Sequence, residues 1–180
     1  AKNFISYFQN FTNTYLPIDM FEKYMNEAAE EDIVEIAVST RPDCIRKEYL
    51  DVLYKIKQEK NIEITIELGL QSINSKTLRK INRGHTLAEY IDAVNEIKKY
   101  GFKICTHIIL NLPWDDDEDA VETAKILSAL KTDFVKLHAL YIVDGTIMGE
   151  QYKNKEFEIC SCEEYKKRVI MFLRYLSKDI

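Results

Sequence analysis

Residues 62–71, Ile-Glu-Ile-Thr-Ile-Glu-Leu-Gly-Leu-Gln, carry an apolar side chain at every even position and a polar one or glycine at every odd position. Successive side chains of a β-strand point to opposite faces, so this segment reads as a strand with one oily and one polar face. The pattern recurs. Val34, Ile36 and Val38 alternate with Glu35, Ala37 and Ser39. Ile104, Ile108 and Leu110 oppose Lys103, Cys105, His107 and Asn111, and Val135, Leu137 and Ala139 oppose Lys136 and His138. Strands are predicted at about 3–9, 34–38, 62–68, 103–110 and 134–140.

The intervening stretches switch to helical spacing. Helices are predicted at about 17–29, 47–58, 75–81, 86–100 and 116–131, with a last one at 162–177. Pro17 suits a first helical turn, where an N–H is not needed. Gly101 after Lys98, Lys99 and Tyr100 suits the left-handed position just past a helix end. Pro113 followed by Asp115, Asp116, Asp117, Glu118 and Asp119 marks a helix start, with carboxylates at the positive end of the dipole. Strand starts fall about every 30 residues, stretching to about 40 where two helices intervene. That spacing is the beat of βα units, whose right-handed crossovers make the sheet parallel.

A parallel sheet covered on both faces by helices reads as continuous apolar runs. These strands do not. A flat sheet would leave the polar face in water, whereas a curled one would gather Glu67, Gln71, His107, Lys136 and His138 around one interior. Such an interior must be wet or filled by a polar ligand. The expectation is an α/β fold: a partial, TIM-like (β/α) barrel of about five units forming one domain over 1–180. Its active site belongs at the C-terminal strand ends.

At 180 residues the chain can enclose one sizeable core. Apolar residues at 46% and charged residues at 31% describe an ordinary globular composition. The net charge of −5 gives no support to a nucleic-acid surface, although a local basic groove is compatible with it. No apolar run approaches the roughly 18 residues of a membrane span, and no signal-peptide pattern stands at Ala1. Four scattered cysteines do not form a disulfide framework, and a reducing, cytoplasmic setting is expected.

The unusual residues cluster at the strand ends: 9–13, 39–43, 69–72, 111–113 and 140–141. Gly69 fits a close approach by a ligand or another backbone. Gln71 can donate to and accept from a sugar hydroxyl or a purine edge. Arg83 can return over the rim to grip a carboxylate. Taken alone, Gln71 or Arg83 is better read as a residue that merely satisfies loop carbonyls.

Together they carry a resemblance. Glu-Leu-Gly-Leu-Gln-Ser (67–72) followed by Asn-Arg-Gly-His (82–85) resembles the region after the fourth strand of radical S-adenosylmethionine enzymes. The branch it is similar to contains the elongator-type tRNA-modifying enzymes and a bacterial family named for the yhcC gene. Tyr-Phe-Gln-Asn-Phe-Thr-Asn-Thr-Tyr (7–15), Thr-Arg-Pro-Asp-Cys (40–44), His-Ile-Ile-Leu-Asn-Leu-Pro (107–113) and Val-Lys-Leu-His with Asp-Gly-Thr (135–146) follow in register.

The resemblance implies an incomplete (β/α)6 barrel that binds S-adenosylmethionine across its strand ends. Gln9, Asn10, Thr12 and Asn13 fall in the methionine-amine loop. Ser39 stands where some relatives carry a ribose-binding acid, and Arg41 follows it among the implied cofactor contacts. Gln71 matches a ribose or adenosine contact and Arg83 one near the methionine carboxylate. His107, Lys136 and His138 are the implied catalytic candidates, facing cofactor and substrate. The Gly-Gly-Glu-type stretch usual after the second strand is absent, replaced by Asn10-Phe11-Thr12-Asn13, and Asn111 and Trp114 stand at positions that are commonly glycine.

The family's chemistry also needs a four-iron, four-sulfur cluster on three closely spaced thiolates, usually Cys-x3-Cys-x2-Cys. No such triplet exists here, so no metal ligand is assigned in this chain. Cys160-x-Cys162 reads as surface or packing, Cys105 as a small core residue and Cys44 as structural. The first predicted strand aligns with the family's second, which makes the chain an expected fragment whose cluster loop, served by an electron donor, lies upstream. The parent would cleave S-adenosylmethionine reductively and act on an unknown substrate; the 180 residues alone would be inactive. Two other readings stand beside it: a non-catalytic binding module on the same barrel, and a conventional acid–base enzyme using Glu67, His107 or Lys136.

Overall fold

The computed structural model describes residues 3–180, so the first two residues of the expected domain lie outside it. Five strands, β1 (Phe4–Phe8), β2 (Ile33–Thr40), β3 (Glu63–Gln71), β4 (Lys103–Ile109) and β5 (Phe134–His138), form one sheet in chain order. Every neighbouring pair is parallel. The crossovers carry α1 (Ile18–Glu27), α2 (Lys47–Lys60), α3 (Ser75–Lys80) with α4 (Leu87–Lys99), and α5 (Asp117–Leu130). Two further helices, α6 (Ile147–Lys153) and α7 (Cys162–Tyr175), follow β5.

The apolar strand face and the helices share one core. Ile36, Val38, Ile64, Ile66, Leu68, Leu70, Ile104 and Ile108 are buried against Phe21, Leu53, Tyr90, Val94, Leu127 and their neighbours. Each large side chain withdrawn from water this way contributes about 1.5–3 kcal/mol, the dominant favourable term in folding. Tyr90 enters this oily layer only because its hydroxyl pairs with Thr106 at 2.7 Å.

The curl of the sheet shows in one contact between its two edges. Lys136 on β5 donates to the Tyr7 hydroxyl on β1 at 3.2 Å. In a flat sheet those strands would stand about 19 Å apart, four spacings of about 4.8 Å, beyond the reach of both side chains. The sheet is therefore a curled partial barrel with its polar face turned inward.

Helix ends follow the punctuation. Asp116 and Asp119 form a reciprocal capping box at α5, which explains most of the acidic run. Asp115 does something else: it is drawn inward, accepts from Thr77 at 2.5 Å, and burial raises its pKa. Gly101 follows the α4 C-cap Tyr100 in the left-handed conformation. The sequence reading missed α6, and two single 3-10 turns at Asn13–Tyr15 and Pro42–Cys44. No helix among the described residues is long and apolar enough to cross a membrane.

Candidate functional site

A cavity of about 530 Å³ opens on the polar face of the sheet at the C-terminal strand ends. Among the residues singled out in the sequence, Gln9, Thr12, Ser39, Arg41, Gln71, Arg83, His107, Lys136 and His138 line it. Asn10 is exposed and does not. Asn13 does not either: its amide donates to the carbonyls of Phe8 at 3.1 Å and Ser39 at 2.9 Å, tying the β1–α1 loop to β2. Asn13 holds the loop that carries Gln9 and Thr12. Tyr7 and Phe11 also face the cavity, and sequence reasoning passed over both. The signal for Tyr7 was its odd-numbered place on β1, in phase with Gln9.

The lip is shaped by β3. Gly69 and Gln71 pair with the consecutive residues His107 and Ile108, so Leu70 is an extra residue, a bulge. The strand continues to Gln71, past the predicted end at Leu68, because the bulge bends it without ending it. Gln71 is left-handed at φ 69°, and Ser72 N–H closes a three-residue turn onto the Leu70 carbonyl at 2.9 Å. A glutamine held there is strained, which directs attention to its side chain. His85, buried behind the turn, steadies it by sharing a 3.2 Å hydrogen bond with the Leu70 carbonyl through Nε2.

Arg83 reaches the lip through the end of α3. Asn82 adopts φ 50°, Asn82 N–H bonds the Arg79 carbonyl and Arg83 N–H the Leu78 carbonyl. That is a Schellman stop, and it turns Arg83 back over the sheet. Its Nη2 donates to the Gly69 carbonyl at 3.1 Å, while Nε is buried without a partner. A Cβ on Gly69 would overlap this guanidinium. The close approach expected at Gly69 is thus made by a side chain of the same protein. Arg41 lies likewise against Gly84, which has φ 77°. Arg41 is paired with Asp43 at 2.9 and 2.5 Å; Arg83 has no carboxylate partner among the described residues. Burial and the neighbouring Arg41 lower the Arg83 pKa, as for a cation short of an anion.

Deeper in the cavity, Glu67 is almost fully buried and accepts from Lys136 at 2.8 Å on each oxygen and from His107. Burial opposes its charge, but these hydrogen bonds outweigh it and hold its pKa below the ordinary carboxylate value. Burial likewise opposes the Lys136 charge; the bonds to Glu67 and Tyr7 prevail and raise its pKa.

Glu67, Cys105 and His107 are the only three His, Cys, Asp or Glu side chains among the described residues gathered closely enough to hold a metal. They do not suit one. The Lys136 ammonium already holds the cation position on Glu67, and burial followed by Glu67 pushes the Cys105 thiol up to about 12. Cys105, expected as a small core residue, is buried on the polar side of the sheet beside Glu67. No three cysteines come together, so the described residues do not fit an iron–sulfur cluster.

Fold and site together define a βα-barrel protein whose polar cavity lies at the strand ends and is richer in positive than negative groups. Residues 2–127 match the Radical SAM superfamily, and residues 132–180 match the Radical_SAM C-terminal domain. The chain belongs to the radical SAM superfamily. The second match begins just before β5, which pairs with β4 in the same sheet.

An uncharacterized protein, YtqA, of Bacillus subtilis is 36% identical over 167 residues, covering 92% of this chain and 51% of its own. Protein YhcC of Escherichia coli is 32% identical over 181 residues, covering 100% and 58%. The chain thus spans about half the length of the relatives it matches. The structure of Methanocaldococcus infernus Elp3 with an N-terminal deletion superposes with a TM-score of 0.82 at 22% identity, over 97% of this chain and 45% of that one. That likeness is one of fold.

Proposed function

We propose that the cavity binds S-adenosylmethionine and that the chain is the greater part of the barrel of a radical S-adenosylmethionine enzyme. One observation carries the reading: Arg83, a cation with no carboxylate partner among the described residues, faces a polar cavity beside the strained Gln71. A bound carboxylate would supply the missing counter-charge, and a guanidinium takes a carboxylate in a two-pronged contact. Gln71 can donate to and accept from a ribose hydroxyl or adenine edge. Gln9 and Thr12 present polar groups from the β1 loop, and Ser39 has a buried hydroxyl with no partner among the described residues. Phe11 supplies an apolar face at the cavity mouth.

When bound with a reduced cluster, this cofactor supplies a 5′-deoxyadenosyl radical by cleavage of its 5′ C–S bond. The cluster's ligands are not among the cysteines of this chain. What these residues contribute is grip and orientation at the lip, and an ionic floor of Glu67 and Lys136 beneath. The test is calorimetric titration of S-adenosylmethionine and S-adenosylhomocysteine into the chain, its Gln71→Ala variant and its Arg83→Ala variant. Binding that weakens at least tenfold in both variants supports the reading. Equal affinity in all three proteins, or none in the wild type, overturns it.

A conventional acid–base barrel is the second reading, favoured by the direct contact between Glu67 and His107. It predicts turnover with no iron and no S-adenosylmethionine.

A further inference from the structure

Five side chains form one continuous hydrogen-bonded row from the cavity floor to its mouth. Lys136 donates to Tyr7 at 3.2 Å and to both oxygens of Glu67 at 2.8 Å. Glu67 meets His107 Nε2, and His107 Nδ1 lies 3.0 Å from His138 Nε2. The two imidazole rings have centroids 5.0 Å apart and are inclined at 29°, an arrangement compatible with that nitrogen-to-nitrogen hydrogen bond.

The row has a direction. A carboxylate only accepts, so Nε2 of His107 carries the hydrogen. Lys136 already neutralises Glu67, so an imidazolium at His107 would be a second cation beside one charge. The neutral ring has one N–H, which leaves Nδ1 of His107 as an acceptor. Nε2 of His138 must then donate to it. Nδ1 of His138 is the lone pair left over, and no protein group among the described residues bonds to it.

We propose that His138 is a general base for the molecule bound in the cavity, and that Glu67 and His107 are positioning residues that fix its tautomer. The inference rests on the cavity being a ligand site, as proposed above, but needs no particular cofactor. Its substrate class is a molecule presenting an O–H or N–H to His138. That bond breaks heterolytically, its electron pair stays on the oxygen or nitrogen, and the proton forms Nδ1–H on His138. The resulting positive charge is shared through the His138–His107 bond and faces the Glu67 carboxylate. The proton returns to water from His138, which is exposed. The titratable groups facing His138 are Glu67 on β3, His107 on β4 and Lys136 on β5. Burial and the Lys136 charge lower its pKa, which favours the accepting form at neutral pH.

The experiment is long-range 1H–15N correlation of the histidine rings in the 15N-labelled chain, with and without S-adenosylmethionine. In the wild type, His107 and His138 are expected as neutral Nε2–H tautomers at pH 7.5, with His138 titrating below 6.5. In Glu67→Gln, Lys136 takes the amide oxygen and the NH2 turns to His107. Both rings should then become Nδ1–H, which closes the base toward the cavity. Nδ1–H on His107 in the wild type, or a His138 tautomer unmoved by Glu67→Gln, overturns the proposal. The wild-type spectrum decides the direction even if the variant does not fold. Correct tautomers without S-adenosylmethionine binding would sink the cofactor reading and leave the relay; reversed tautomers with tight binding would do the opposite.

Discussion

The Arg83 guanidinium lies over the backbone of Gly69, with Nη2 donating to the Gly69 carbonyl at 3.1 Å. Glycine is needed there because a Cβ would overlap the guanidinium and come within 2.9 Å of Gln71 Nε2. Both obstructing atoms end flexible side chains, so Gly69→Ala should fold with a stability change of about 1 kcal/mol or less. It should nonetheless displace both lip residues and weaken S-adenosylmethionine binding about tenfold or more, equivalent to about 1.4 kcal/mol. Calorimetry on the variant reads this directly, and unchanged affinity would separate Arg83 from the ligand.

Gln71 holds φ 69° at the end of β3. Left-handed backbone costs an ordinary residue about 1–2 kcal/mol and glycine almost none, though glycine gains about 0.5–1 kcal/mol of freedom in the unfolded chain. Gln71→Gly should therefore stabilise the fold by about 0.5–1 kcal/mol in urea unfolding while losing the ligand contact. A variant less stable than wild type would show that the side chain, rather than the bulge, holds the turn.

Glu67 and Lys136 form a pair that is buried on one side only: the Glu67 side chain is 6% exposed and that of Lys136 42%. Lys136→Met would leave a buried carboxylate with His107 as its remaining hydrogen-bond donor. The cost should be about 1–3 kcal/mol, discounted from that of a fully buried pair because water reaches Lys136. Glu67→Gln with Lys136→Met should recover part of the loss. A double-mutant cycle by urea denaturation measures the coupling, and strict additivity would deny it.

His85 is 5% exposed, and burial followed by the Arg83 charge lowers its pKa from 6.5. Between the folded and unfolded pKa values, the unfolded chain binds the extra proton, so stability falls as pH drops through 6.5. His138, also lowered, acts in the same direction. Glu67 and Asp43, whose pKa values are lowered in the fold, add their losses only below about 4.5 and 3.8. Melting temperature should decline from pH 7.5 to 5.5, and His85→Gln, which can still donate to Leu70, should flatten that limb. An equally steep limb in the variant would assign it to other groups.

The legible parts of the sequence were those with a local cause. Alternation located the strands, capping residues located α4 and α5, and the polar-face positions of β3, β4 and β5 named Glu67, His107 and Lys136 before any contact was known. Helix α6 escaped because only Gly149 in it is buried and Ile147 stands in solvent, so no apolar stripe marks it. Asn13 read as a ligand residue from its loop position, yet its amide is engaged by Ser39, 26 residues away.

By itself the sequence determined which side chains share a strand face, because a period of two is set by backbone geometry alone. Only the tertiary structure decided that this face closes into a cavity, through Tyr7 and Lys136, 129 positions apart. It alone also aligned Glu67, His107 and His138 so that one carboxylate orients two imidazoles. Hydrogen bonds depend on ångström-scale placement of groups from different strands, and that placement comes from how the core packs.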